Sequence, residues 1–445
     1  SQMRDLLIRV FQSAVSAVNP LECVRKSLRV TSSSLCVDGS TSRLIPIDQS
    51  TPLYLISFGK AAAAMTQGAE EILGSRMKEG IVIVPKVEEG SKNLRSTVYE
   101  AGRSNLPDRR SIEATKEVLR MVECADSNAI FVVLISGGGS ALLALPSKGI
   151  TLDHKLTTIR TLVSRGASIQ QLNAVRRALS RVKGGRLMEA IGERKSISLV
   201  LSDIVGDPLE FIASGPTVSP QSSIRAATVI NELSVRSSLP KEVIDAIDSE
   251  KSSPLSAHHT ALHSIVCNNT IALEGAKITL EEVGFKSTIT TCTQVGDADE
   301  FGRKIADTVI GMEKGEKTAL LFGGETTVNL PPHNGIGGRN QHAALAALIQ
   351  LWKRREEWKN KGVNFALLFA GTDGQDGPTD ASGATVTSQI IIDLPIDEME
   401  KAEKALKEAN SYNFWKEFRG GICHFQPGFT GTNVMDITVL IHESM

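Results

Sequence analysis

Five places in this 445-residue chain set glycine beside a residue able to hold or move charge. They are Gly59-Lys60, Gly137-Gly138-Gly139-Ser140, Gly323-Gly324-Glu325-Thr326, Gly371-Thr372-Asp373-Gly374, and Ser202-Asp203 with Gly206 slightly later. The second ends an apolar run, Ile130 to Ile135, through Ser136. Glycine costs backbone entropy, so three in a row need a reason. A sharp strand-to-helix turn is one. Bare backbone N–H groups meeting a ligand, above all a phosphate, is the other. Both readings stand on the local sequence.

Single residues sharpen the chemistry. Lys60 precedes four alanines at an expected helix start. A cation there opposes the helix dipole, unless an anion is held at the same end. Asp203 and Asp207 sit four apart on a glycine-containing loop after "ISLVL". Each suits a helix cap; as a pair they suit a general base and a metal or structural partner. Arg339 follows a stretch in which three of four residues are glycine, and Asn340 and Gln341 come next. An arginine on bare backbone suits bidentate capture of phosphate or carboxylate. "AGTDGQDGPTDASGA", 370–384, carries Asp373, Asp376 and Asp380. Counted from Asp373, an EF-hand needs glycine where Pro378 stands and glutamate where Ala384 stands, which excludes that calcium loop. A magnesium-assisting or substrate-binding acid loop stays open. His259 and His263 are four apart, but Thr260 occupies the glutamate position of a zinc helix motif.

These residues need elements to position them. Residues 3–29 have apolar positions at helical spacing, and "PLYLISFGKAAAAMTQGAEEIL" reads as strand, glycine turn and helix. "AIFVVLISGGGSALL" repeats that grammar, and "SISLVLSDIVGD" runs a strand into acids. Alternating strands and helices predict a mostly parallel sheet covered on both faces. In such sheets ligands gather beyond the carboxyl ends of strands. Polar stretches between 220 and 260 suggest a domain boundary, set here at 235/236, followed by a second α/β layer that includes "KTALLFGGETTVNL" and "DITVLIHE".

Lys and Arg number 49 against 50 Asp and Glu, which gives no sign of nucleic-acid or membrane partners. The nearest approach to a membrane span, 129–146, is broken by the glycine cluster. Six scattered cysteines without a CxxC suit a reducing compartment, expected to be the cytoplasm, the mitochondrion or both. Ser1-Gln2 ahead of Met3 reads as a tag scar, so a targeting segment once ahead of it would leave no trace.

Taken together, "SFGKAA" (57–62), "LISGGGSALL" (134–143), "SRGASIQQLNAVRRALSRVKGGRL" (164–187), "LSDIVGDPLEFIASGPT" (201–217), "GGETTV" (323–328), "GGRNQH" (337–342), the acid loop and "TGTNVMDI" (430–437) give the chain a family resemblance. It resembles the class II glycerate kinases, whose C-terminal part is the domain named for its multi-organism fragment with rich leucine, about 316–440 here. The resemblance implies two three-layer α/β/α domains, 1–235 and 236–445, the first Rossmann-like, with the active site in the interdomain cleft. It implies ATP and magnesium, and phosphorylation of D-glycerate at its 2-hydroxyl, by a monomer or homodimer. Lys60 matches the lysine at the transferred phosphoryl group, Asp203 the acid near the hydroxyl, and Arg339 the arginine of the phosphate and substrate site. The nucleotide is expected at Gly137, Gly138, Gly139, Ser140, Gly324, Glu325, Thr326 and Gly338. Ser136, Arg177 and Asn340 join Lys60 and Arg339 as expected substrate contacts, and Asp203, Asp207 and Asp373 as metal ligands. One departure is Gly102-Arg103, where the family usually follows the glycine with His-Pro.

No Walker A loop is present, because "GKAAAAM" lacks its glycine pattern and its Ser/Thr. Two other functions fit the same turns: an NAD-dependent oxidoreductase of a small hydroxy acid, and a non-catalytic sugar-acid or phosphate binding module. "ISFGKAAAAM" is not GxGxxG, which weakens the first.

Overall fold

The computed structural model describes residues 2–38, 43–219, 224–250 and 261–444. The chain forms two compact units. One comprises Pro20–Ser202 and Asp207–Val266; the other comprises Ser1–Asn19, Asp203–Gly206 and Cys267–Met445.

The first unit is built on a six-stranded sheet. Its spatial order is Thr97–Glu100, Met77–Val84, Leu53–Phe58, Ile130–Ile135, Lys195–Leu201 and Ala261–Cys267. The runs "LYLISF" and "IFVVLI" are buried along their whole length, as strands covered on both faces must be. The pairings among the first five strands are all parallel. Numbered along the chain, the order is 3-2-1-4-5-6, that of the dinucleotide-binding fold. The order reverses between Leu53–Phe58 and Ile130–Ile135, so the crevice outside their carboxyl ends is where such a sheet binds its ligand. A small antiparallel sheet, Leu28–Val30, Ser34–Val37 and Arg43–Pro46, accompanies it.

The expected boundary at 235/236 falls inside this unit and is corrected. Val243 and Ile247 of helix Lys241–Asp248 share an apolar cluster with Leu162, Val175 and Val229, and Ala261–Cys267 completes the sheet. Polar composition between 236 and 260 hid apolar positions that need this core. The helical spacing read over 3–29 is realised as two helices. It breaks at Pro20 into Gln2–Ala17 and Pro20–Ser27, because proline starts a helix but cannot continue one. Helix Gln2–Ala17 belongs to the second unit, where Ser13 hydrogen-bonds Thr279 at 2.7 Å.

The second sheet runs Lys286–Gln294, Thr318–Gly324, Asp436–Ser444, Val363–Gly371, Gly383–Thr387 and His424–Phe425. Only the first pair is parallel. The C-terminal strand inserts antiparallel between Thr318–Gly324 and Val363–Gly371. The link from Gly371 to Gly383 is too short for a helical crossover, so those strands pair antiparallel. Helices Ala298–Ile310 and Arg339–Lys353 pack closely here. The alanine-rich pattern of the latter explains how: a Cβ on Gly302 would lie 2.1 Å from the Ala343 carbonyl. No helix among the described residues is long and apolar enough to cross a membrane.

Candidate active site

In the first unit, both turns at the sheet's reversal point are built against each other. Ser136 Oγ accepts the Ala61 N–H at 3.1 Å, and the Gly137 carbonyl accepts the Lys60 N–H at 2.9 Å. Gly138 has φ +78, a left-handed backbone. A Cβ there would stand 3.3 Å from Lys60 Cγ and Cε, so the lysine stem lies across the bare turn. Lys60 is exposed. Gly137 is buried, and neither its N–H nor that of Gly138 meets a protein acceptor among the described residues. Backbone donors and an exposed ammonium thus converge on one turn, an arrangement that fits phosphate oxygens.

Ser136, expected to bind substrate, is 1% exposed; its hydroxyl fixes the two turns to each other instead. Ser140 Oγ is 2.8 Å from Ser214 Oγ. Arg177 lies half-buried along an open cleft with Arg176, Lys183, Glu210 and Ser214. Burial lowers its pKa from the ordinary arginine value. Asp207 has φ +54, so it shapes its turn through a strained backbone.

In the second unit the residues around Arg339 form a closed ion cluster. Arg339 donates through Nε to Asp436 at 2.5 Å, through Nη2 to the other Asp436 oxygen at 3.1 Å, and through Nη1 to Glu325 at 2.8 Å. Burial opposes the guanidinium charge, but the Asp436 and Glu325 carboxylates hold its pKa above the ordinary value. Its expected bidentate carboxylate partner is therefore internal. With one cation and two acids, the cluster is net negative.

The start of helix Arg339–Lys353 is capped from afar. The Asp376 carboxylate accepts from Asn340 N, Asn340 Nδ2, Gln341 N and Gln341 Nε2 at 2.9–3.1 Å. Burial pushes this carboxyl up to about 6, opposed by those donors. Gly338 presses on it: a Cβ there would lie 2.2 Å from Asp376 Cγ. Asn340 is buried and engaged with Asp376, so it positions the helix. Gly324, Thr326 and Asn340 line a cavity of about 10 Å³, room for one water and not for a nucleotide. Asp373 Oδ1 accepts the Gln375 N–H at 3.0 Å and turns the acid loop. Asp203 falls in the segment Asp203–Gly206 that belongs to this unit. No group of three or more His, Cys, Asp or Glu side chains is gathered for a metal among the described residues. His259 lies outside them, and His263 hydrogen-bonds Thr217 at 3.1 Å.

Residues 6–248 match the domain of unknown function DUF4147, and residues 318–436 match the MOFRL family. The mouse protein named glycerate kinase is 34% identical over 97% of this chain and 92% of its own length. The Pyrococcus horikoshii glycerate 2-kinase is 34% identical over 99% and 98%. The crystal structure of a glycerate kinase from Thermotoga maritima superposes with a TM-score of 0.81 at 31% identity, covering 99% of each chain. The chain belongs to the glycerate kinase family.

Within this glycerate kinase family member, sequence reasoning passed over three residues. Asp436, the fork partner of Arg339, lay in the quoted "TGTNVMDI", but nothing local linked it to a residue 97 positions away. Asp376 appeared as one acid of a loop rather than a helix cap. Lys183, in "VKGGRL", is 6% exposed and donates to the Ser140 carbonyl at 2.7 Å. Its signal was a lysine between buried apolar residues and a double glycine. At the family departure, Gly102 is left-handed and Arg103 pairs with Glu100 at 2.9 Å, a surface contact.

Proposed function

We propose that this chain transfers the γ-phosphoryl group of ATP to the 2-hydroxyl of D-glycerate, giving 2-phospho-D-glycerate and ADP. The observation that carries the reading is the turn at the sheet reversal, where Lys60 lies across Gly138 beside backbone N–H groups without protein acceptors. Phosphoryl transfer needs this kind of preorganised positive field more than covalent help from the protein. Gly137 and Gly138 hold phosphate oxygens by backbone N–H. Lys60 meets the charge on the transferred group. Asp203, just beyond strand Lys195–Leu201, orients the acceptor hydroxyl and takes its proton. Arg339, held by Glu325 and Asp436, keeps part of its donor set for the substrate.

Magnesium accompanies the nucleotide and supplies charge neutralisation at the phosphates. Asp203, Asp207 and Asp373 are the acids that would meet the ion, and no step here is routed through it. The protein acts as a monomer or homodimer in the cytoplasm or mitochondrion.

The test is ADP release measured with D-glycerate, L-glycerate and other small hydroxy acids, beside NAD reduction and direct binding. Phosphorus NMR of the product reads which hydroxyl is esterified. ADP release with D-glycerate and a 2-phosphate product is expected. NAD reduction without ADP release makes the chain an oxidoreductase, whose strand order it shares. Binding without turnover makes it a binding module.

A further inference from the structure

Three further cations of the first unit are withdrawn from water, and one of them, Lys183, bonds the glycine turn. Lys155, on helix Leu152–Ser164, is 9% exposed; Lys183 is 6% exposed; Arg176, on helix Ile169–Ala178, is half-buried. None of the three has a carboxylate partner among the described residues. Among the described residues the Lys155 side chain makes no hydrogen bond or ion pair, Arg176 donates to Asn173 at 3.3 Å, and Lys183 donates to the Ser140 carbonyl. Lys155 feels the charge of Arg176, and Lys183 feels those of Lys155 and Arg176. Burial, then Lys155 and Arg176, push Lys183 down to about 7; burial, then Arg176, push Lys155 down to about 8. The acids nearby, Glu210 and Glu250, act on Arg177.

Withdrawing an ammonium from water without a counter-charge opposes folding. Three such cations together are explained by a ligand that brings the missing charge. Arg176 and Lys183 face an open cleft of about 80 Å³. Ser214 is part of its wall and touches Ser140, so the cleft reaches the glycine turn.

We propose that Arg176 and Lys183 form a polyphosphate-binding wall that continues the glycine turn and receives phosphate oxygens of the nucleotide, with the buried Lys155 adding positive charge from outside the cleft. Arg176, Arg177 and Lys183 outnumber Glu210 among the cleft's lining residues, which matches a polyanion better than a single carboxylate. The inference rests on the function proposed above in taking ATP as the donor.

The experiment titrates the full chain separately with inorganic tripolyphosphate, ATP and D-glycerate. Wild type is compared with Lys155→Met, Lys155→Arg and Arg176→Gln. Arg176→Gln should weaken tripolyphosphate and ATP at least tenfold and Lys155→Met by less, with D-glycerate affinity within twofold of wild type in both. Lys155→Arg should retain binding. The ligand-free Lys155→Met chain should melt no lower than wild type, because a desolvated charge has been removed. Should Lys155→Met not fold, Arg176→Gln on its half-buried side chain carries the same comparison. Unchanged tripolyphosphate affinity in Arg176→Gln overturns the proposal. So does a loss confined to D-glycerate, which would give the cations to the acceptor's carboxylate. Tripolyphosphate binding needs no turnover. A wild type that binds it through these residues yet releases no ADP leaves the wall standing and defeats the proposed function alone.

Discussion

Lys60 and Arg339 show what a side chain's partners decide. Both follow glycine and both are expected at phosphate. Lys60 is exposed across a bare turn, while Arg339 is enclosed by two carboxylates. Lys60→Ala should therefore lower kcat by roughly 10²-fold or more, as loss of a main electrostatic donor does. Its melting temperature should stay within a degree or two, since no contact of the folded core is lost. Steady-state kinetics with saturating ATP and magnesium, beside a thermal melt, check both; near-normal kcat removes Lys60 from the chemistry. Asp203→Ala should likewise lose turnover while ATP still binds, and Asp207→Ala should lose less, because Asp207 holds a left-handed turn position. The reverse ranking in kinetics and nucleotide titration would exchange their roles.

At the scale of elements, function depends on how turns and helix ends are held. Gly138→Ala places a methyl against Lys60 and a side chain at φ +78. The expected outcome is a fall in kcat with the fold intact, read by activity beside circular dichroism; unchanged kinetics would reduce the loop to a plain turn. The helix Arg339–Lys353 has no side-chain cap of its own, and Asp376 substitutes from a separate loop. Asp376→Ala strands buried N–H groups of Asn340 and Gln341. Losing a cap costs about 0.5–2 kcal/mol, and each unsatisfied buried donor adds roughly 1–3 kcal/mol. Denaturant unfolding should show a loss of at least about 2.5 kcal/mol by these measures. Activity should fall with it, because Arg339 begins that helix.

Across the whole molecule the formal charge sums to −1, yet local clusters depart from that balance. The first unit sets Lys60 and Lys183 at its glycine turn and withdraws Lys155 and Arg176 from water, and the second sets the Glu325, Asp376 and Asp436 acids around one arginine. A pH-dependent stability follows. Lys183 has a folded value of about 7 against an ordinary 10.5, so between those values the unfolded chain binds more protons. Stability then rises with pH across that window, by an amount on the order of a few kcal/mol at most. Below about 7 both states hold the proton and the contribution is flat. Lys183→Met should flatten the slope between pH 7 and 10 in denaturant titrations of the ligand-free chain. An unchanged slope would assign the effect to other groups.

What the sequence determined by itself was local and periodic. The strands "LYLISF" and "IFVVLI", the glycine turns after them, the α/β class and the motif series shared with the family are all written in consecutive residues. Hydrophobic period and backbone freedom act over a few positions, so they can be read there. The tertiary structure decided what joins distant positions. Asp436 meets Arg339 only because the C-terminal strand inserts beside Thr318–Gly324. Asp376 became a cap, Ser136 a clasp and Asn340 a support, because burial committed their polar atoms to protein partners. Residues 236–266 joined the first unit because Val243 and Ile247 found their core there. Lys155, Arg176 and Lys183 lie on separate segments, and only folding removed them from water together, which is where their charge gains its effect.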